Sequence, residues 1–563
     1  MGRTVGIGHQ DFERLIQNNY FYIDKTAFIR EWWESGDAVT LITRPRRFGK
    51  TLNMSMLECF FSLKYEDRGD LFKGLSIWQD ESYRQLQGSY PVISLSFANV
   101  KGNSFSNIRK QICQIIKDLY NKHDYLLASD CMNEDEKKIF RKVSAEMEDY
   151  IAVNALNALS DYLSRYYGKK VIILLDEYDT PMQEAYVRGF WGELAEFTRN
   201  LFNAAFKTNP YLERAVMTGI TRVSKESVFS DLNNLEVVTT TSKSYSDSFG
   251  FTEEEVFSAL DEYGMGDSRA EVKRWYDGFV FGESRDIYNP WSILNYLKTG
   301  KYATYWANTS SNSLVGKLIR EGNRSVKQDF EKLMQGESIT MELDERIVYD
   351  QLNGKKNAIW SLLLAGGYLK AEAVEFVEET GRWLYTLSLT NREVCIMFTE
   401  MIRDWFAEAE DSYNDFIKAL LLNDLKAMND YMNRVALQTF SFFDTGKQPS
   451  GEEPERFYHG FVLGLMVELA DRYVLTSNRE SGFGRYDVML EPRQGAADGM
   501  GSAIIIEFKV QDSKEKTLEE TAAAALEQID RMKYETALVQ RGIPRECIRK
   551  YGFAFRGKEV LIR

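Results

Sequence analysis

Residues 38–51 read Ala38-Val39-Thr40-Leu41-Ile42-Thr43-Arg44-Pro45-Arg46-Arg47-Phe48-Gly49-Lys50-Thr51. An apolar, β-branched run gives way to a short basic loop, and a helical pattern starts at Thr51-Leu52-Asn53-Met54. A strand–loop–helix unit of this kind aims backbone N–H groups and the positive end of a helix at one point, as a polyphosphate requires. Gly49-Lys50-Thr51 supplies the end of the pattern G-x-x-x-x-G-K-[ST], whose lysine bridges the outer phosphates. Arg44 stands where the first glycine would be, and the tripeptide alone is a weak signal.

Working outward, four further apolar segments at 91–97, 170–176, 214–219 and 235–240 join 38–43 as expected strands. Helical patterns at 50–64, 104–120, 137–166 and 188–207 separate them. This alternation predicts a parallel sheet covered on both faces. The third segment ends Ile172-Ile173-Leu174-Leu175-Asp176-Glu177. An acid at the tip of a buried strand is costly unless it holds a metal or accepts hydrogen bonds. Asp176 is therefore expected to hold magnesium through water, and Glu177 to polarise the attacking water. The competing assignment makes Asp176 a simple cap for the next helix.

A chain of 563 residues exceeds one compact core, so two to four domains are expected. Its 44% hydrophobic content is that of a globular protein, and no run of about eighteen apolar residues predicts a membrane span. The five cysteines form no C-x-x-C pair and only three histidines exist, which argues against a zinc site or a disulfide framework. That pattern fits a reducing cytoplasm. The net charge of −14, from 84 acids against 70 bases, restricts nucleic acid to a local groove.

The expected domains are 1–250 for the sheet unit, 251–320 for a helical lid, 321–411 for a winged-helix-like segment and 412–563 for a second α/β unit. Aromatics of the lid, from Trp275-Tyr276 to Tyr305-Trp306, read as packing residues. Within 412–563 a helical stretch (412–440) and a loop (445–451) precede helix 454–471, strands near 473–477, 485–490 and 502–510, helix 517–534 and strand 551–555. Two of these strands carry Asp487 and Glu507-Phe508-Lys509. Alternation puts Glu507 and Lys509 on one face and Phe508 on the other. Asp487 and Glu507 on neighbouring strands can share magnesium, while Lys509 orients water and offsets charge growing on a phosphate. A lone E-x-K is nearly worthless; the apolar Ile504–Ile506 before it and the acid on the preceding strand give it weight.

Several motifs together resemble the bacterial AAA-ATPase-like family: Phe21-Tyr22-Ile23-Asp24-Lys25-Thr26, the loop Arg44–Thr51, Thr218–Ser227, Trp275-Tyr276-Asp277-Gly278 and Tyr288-Asn289-Pro290-Trp291-Ser292. In that family a C-terminal PD-(D/E)XK nuclease-like domain commonly follows. The resemblance implies an ASCE/AAA-like P-loop NTPase sheet with lid and winged-helix-like segment, then a small restriction-endonuclease-like α/β domain. It implies ATP and Mg2+ as cofactors, with Arg47, Phe48, Gly49, Lys50 and Thr51 at the phosphates and Thr51 and Asp176 at the metal. Thr218 resembles a sensor of the terminal phosphate. Arg222 fits a phosphate-sensing arginine and a structural ion pair equally, as Arg46 and Arg47 fit phosphate contact or flanking positions. In the nuclease-like domain Asp487 and Glu507 would hold metal, Lys509 would assist, and Gln528 matches a glutamine found beside such sites. The RecB-type Q-x-x-x-Y spacing is absent, because the nearest tyrosine is Tyr534. Glu468 is a further candidate ligand, and His459 reads as a packing residue. Nucleic acid is the implied partner, with DNA favoured over RNA and a homo-oligomer allowed. The alternative is an inactive nuclease-like fold that recognises without cutting.

Overall fold

In the computed structural model the opening stretch forms β1 (Val39–Thr43), buried at all five positions, and runs through its loop into α1 (Lys50–Phe61). The structure describes residues 2–221, 228–229, 232–307, 315–316, 318–319, 324–343, 357–378, 381–407, 413–439, 462, 466, 469, 472–477, 480–481, 484–485, 487–493, 502–511, 515–556 and 559–563. These divide into two compact units, Met1–Met397 and Phe398–Arg563. Arg222, His459, Glu468 and most of the expected helix 454–471 lie outside the described residues.

In the first unit β1 joins β2 (Val92–Ser96), β3 (Val171–Asp176), β4 (Leu212–Gly219) and β5 (Leu235–Val238) in a wholly parallel sheet of order β2-β3-β4-β1-β5. This order sets the site. The loop after β1 and the acids at the end of β3 flank β4, so Thr218 at the end of β4 stands between them. One face of the sheet (Val39, Leu41, Ile173, Leu175, Ala215, Met217) packs on apolar residues of α2 (Phe105–Lys122), such as Ile112 and Ile116.

The expected helix 137–166 is instead two, α3 (Glu134–Lys142) and α4 (Asp149–Tyr167). Val143 and Met147 drop into the core between them, while Arg109 holds the Met147 carbonyl and pairs with Asp149. The pattern at 188–207 likewise starts with a separate helix, α5 (Thr180–Arg188), which Gly189 ends at φ 85° before α6 (Trp191–Phe202).

Beyond the sheet, β6 (Phe251–Thr252), β7 (Phe279–Phe281) and β8 (Ser284–Tyr288) form a small sheet beside α7 (Glu253–Glu262) and α8 (Pro290–Thr299). Thr252 and Glu255 make a capping box at α7, and Lys25 adds its ammonium to Glu255 at 2.7 Å. Tyr276, Tyr288 and Tyr296 are buried in the core of this region, as packing residues. Next come β9 (Ile339–Glu342), α9 (Ala358–Ala365), β10 (Leu369–Val377), β11 (Arg382–Leu389) and α10 (Arg392–Ala407), with an antiparallel sheet of order β10-β11-β9.

The second unit begins its described helices with α11 (Tyr413–Leu422) and α12 (Leu425–Thr439), split at Asn423, whose φ is 59°. Its mixed sheet runs β12 (Tyr473–Ser477), β15 (Val488–Pro492), β16 (Ala503–Val510), β17 (Ile548–Arg556), β18 (Glu559–Ile562), with only β16 and β17 parallel. The expected strand 485–490 is interrupted. Gly484–Arg485 (β14) pairs with Glu480–Ser481 (β13), and only from Val488 does the chain enter the main sheet. On one sheet face Ile504, Ile506 and Phe508 meet α11 and α12; on the other Ala503 and Ile505 meet Ile529 of α13 (Leu518–Met532). The edge strand β18 is closed by two asparagines of α12. Asn429 bonds both N–H and C=O of Ile562, and Asn433 both of Val560, at 2.7–2.9 Å. Among the described residues no helix is long and apolar enough to cross a membrane.

Candidate functional site

Gly49 adopts φ 84° and caps α1 with no side chain, leaving the first-turn N–H groups of that helix available to an anion. Lys50 is buried, and its ammonium donates to the carbonyls of Arg44 and Pro45 at 3.0 Å each. It also lies 3.4 Å from the Glu177 carboxylate. Thr51 donates its hydroxyl to Asp176 Oδ2 at 2.8 Å, and Thr218 donates to Asp176 Oδ1. The Glu177 N–H donates to Thr218 Oγ1 at 3.3 Å, and Glu177 itself sits at φ 53°, a rare conformation for a side-chain-bearing residue. Asp176 does not cap α5, because both its oxygens are turned to Thr51 and Thr218. Burial, and then the Glu177 charge, push its pKa above the ordinary carboxylate range.

The rest of the loop divides into outward and inward residues. Arg47 is exposed at φ 64° with its guanidinium 4.4 Å over the Trp291 ring, and Arg46 reaches Gln183 at 3.2 Å. Phe48 is buried edge-on to Phe279 and Phe281, so only its main chain can serve a phosphate. An ammonium, a hydroxyl, a carboxylate and an uncapped helix end, grouped this way, suit a nucleoside triphosphate with a divalent ion.

Two residues here escaped the sequence reading. Arg44 is wholly buried, donating to carbonyls of Thr43, Thr239, Ser244 and Tyr245, and burial pushes its pKa down to about 9. It braces the loop from behind and does not face the phosphate position. Asp179 is also buried; its Oδ2 accepts the N–H groups of Ile220 and Thr221 and the Thr221 hydroxyl at 2.9–3.0 Å. It thereby fixes the chain leaving β4. Its recurrence three residues after Asp176 was the available signal.

In the second unit, Val488 pairs with Ile506, so Asp487 stands one step further on, opposite Glu507. Asp487 Oδ2 accepts the Phe508 N–H at 2.8 Å, which turns its carboxylate onto β16. Glu507 is 3% exposed and Lys509 partly exposed; both alternate onto the face that carries Ile505 and α13. Gln528 of α13 donates to Glu507 Oε1, and the same amide lies 3.4 Å from the Tyr534 hydroxyl. Tyr534 was discounted on spacing. Lys533 closes α13 at φ 53°, and this left-handed turn brings the buried Tyr534 ring back to Gln528. Burial, together with the Glu507 and Asp487 charges, raises the phenol's pKa.

Comparison with known proteins agrees with this division. Residues 6–229 match the family model described as Predicted AAA-ATPase, and residues 453–563 match one described as PD-(D/E)XK nuclease superfamily. The chain thus joins an AAA-ATPase-like domain to a PD-(D/E)XK nuclease superfamily domain. A relative from Azotobacter chroococcum mcd 1, named "Uncharacterized protein in vnfD 5'region", is 24% identical over 482 residues. The match covers 83% of this chain and 85% of the relative.

Proposed function

We propose that the first unit binds ATP with magnesium and hydrolyses it, and that the second is a magnesium-dependent nuclease acting on nucleic acid, DNA being expected over RNA. The meeting of Lys50, Thr51, Asp176, Glu177 and Thr218 carries the first half of this reading. In it Lys50 leaves its carbonyl partners for the outer phosphates, Thr51 and Asp176 hold the metal, and Glu177 orients and deprotonates the attacking water. Thr218 and, beyond the described residues, Arg222 sense the terminal phosphate. The second half rests on Asp487 and Glu507 standing opposite each other with Lys509 on the same face as Glu507. The metal supplies charge neutralisation at the scissile phosphate. Asp487 and Glu507 would hold it, Gln528 fixes the Glu507 carboxylate, and Lys509 orients or deprotonates water.

The test uses purified full-length protein with magnesium, ATP and single- or double-stranded DNA or RNA. Lys509→Ala is expected to abolish cleavage while ATP affinity stays at the wild-type value. Lys50→Ala is expected to lower ATP turnover by about 10²-fold or more. Equal background cleavage by wild type and Lys509→Ala would leave the second unit as a recognition module, the competing reading. Unchanged ATP binding and turnover in Lys50→Ala would sink the first half.

A further inference from the structure

The carbonyl of Arg46, in the middle of the phosphate loop, accepts the indole N–H of Trp306 at 2.9 Å. Trp306 is held in turn by Glu393, in the first turn of α10. Glu393 Oε1 accepts the main-chain N–H groups of Trp306 at 2.6 Å and Ala307 at 3.3 Å, and Oε2 accepts the Ser292 hydroxyl at 2.8 Å. The carboxyl is 1% exposed and makes no ion pair among the described residues. The Trp306 ring also lies edge-on to Phe279 at 5.5 Å, and Phe279 lies 4.7 Å from Phe48.

We propose that Glu393 is a positioning residue for the phosphate loop, acting through Trp306. The inference rests on the reading that this loop binds nucleotide. In a trans peptide the C=O and N–H point in opposite directions, so tying the Arg46 carbonyl to Trp306 fixes the Arg47 N–H away from it. The left-handed Arg47 that follows completes a turn of the kind whose amides line an anion-binding concavity. A loop left to itself would lose that orientation; Trp306 supplies the shorter bond from 260 residues away, and the Asn289 amide adds a longer one to the same carbonyl at 3.4 Å.

The grip depends on ionisation. A carboxylate only accepts, and here it meets three donors with charge-assisted bonds. Once protonated, one oxygen must donate, and of the three partners only the Ser292 hydroxyl can accept. That bond reverses and the hold on Trp306 weakens. Burial, against the hydrogen bonds from Ser292, Ala307 and Trp306, pushes the Glu393 pKa up to about 7. Among the elements packed against it, Asp277 beside Tyr276 also has a carboxyl raised to about 7, by burial and then by the hydrogen bond and charge of Asp286, so the Glu393→Gln comparison is what assigns a pH step to Glu393. Tyr276 is a phenol pushed further up by burial; Arg392 lies over Trp275; Arg46 turns to Gln183.

The experiment measures the Kd of a fluorescent ATP analogue at saturating magnesium between pH 6 and 8, on the full chain. Wild type should bind roughly 3- to 10-fold more weakly at the acid end, the span of one hydrogen bond. Glu393→Gln should show no such step, which separates the effect from titration of the nucleotide. It should also melt above wild type at pH 8, with the gap closing toward pH 5. The sign follows from the raised folded pKa: the contribution to stability is complete below the unfolded value and is lost as pH rises through about 7. Trp306→Phe keeps the ring and the main-chain bonds but removes the indole donor, and should bind at the weak level at all pH values. A pH step that persists in Glu393→Gln, or wild-type binding by Trp306→Phe, overturns the proposal while nucleotide binding stands. No binding by wild type would overturn the nucleotide reading itself.

Discussion

The two candidate sites hold their lysines in different ways. Lys50, the first residue of α1, is buried and bonded to carbonyls of the loop that precedes it, whereas Lys509 stands partly exposed on a sheet strand two residues from its acid. The first site must be held in shape by contacts from far along the chain: Arg44 to Thr239 and Tyr245, and Trp306 to Arg46. The second takes its geometry from strand register, since pairing Val488 with Ile506 suffices to set Asp487 against Glu507. A loop site can therefore be disabled without touching a ligand-binding group. A strand site fails chiefly when its own side chains change.

The largest effect should come from the loop's brace. Arg44→Gly restores the glycine of the common phosphate-loop pattern, so motif logic predicts equal or tighter ATP binding. The structure predicts the reverse, because the change strips a buried side chain that donates to four main-chain carbonyls. Thermal or denaturant unfolding should show the first unit's transition weakened by about 3–5 kcal/mol, the range for truncating a large buried side chain. A variant with wild-type stability would remove the contrast between the two sites.

Asp176→Asn separates stability from turnover at the same site. Because burial raises the folded pKa of Asp176, its contribution to stability is present at low pH and lost as pH rises through that value. The asparagine variant should thus melt no lower than wild type at pH 8, with the difference shrinking toward pH 5, while ATP turnover falls by about 10²-fold. Loss of both together at pH 8 would mean that Asp176 is needed for folding and that the metal role has no independent support.

The same contrast governs what the sequence could reveal. Five strands of the first sheet fall within two residues of their apolar runs, because both-face burial writes itself as continuous hydrophobicity. The pairing of Glu507 and Lys509 on one face follows from alternation alone. Helix breaks at Val143–Met147 and at Gly189 were harder to see, since each depends on tertiary burial or on one left-handed residue inside a helical pattern. Arg44 read as a departure from a motif because its partners other than Thr43 lie 195–201 residues away. Tyr534 was missed for a local reason: counting positions assumes a continuing helix, and Lys533 ends it.

The smallest expected effect concerns that tyrosine. Its hydroxyl lies 3.4 Å from the Gln528 amide, a long contact, and that amide in turn donates to the Glu507 carboxylate. Tyr534→Phe should keep the buried ring and lower cleavage by only about 3- to 10-fold, the worth of one hydrogen bond. Gln528→Ala, which removes the amide itself, should cost more. If the phenol acts only by orienting Gln528, the double variant should be no worse than Gln528→Ala alone, since a pair in one chain of contacts is not additive. An additive double variant would give Tyr534 its own contact with substrate, and a strand-built site would then extend past its register to the turn at Lys533.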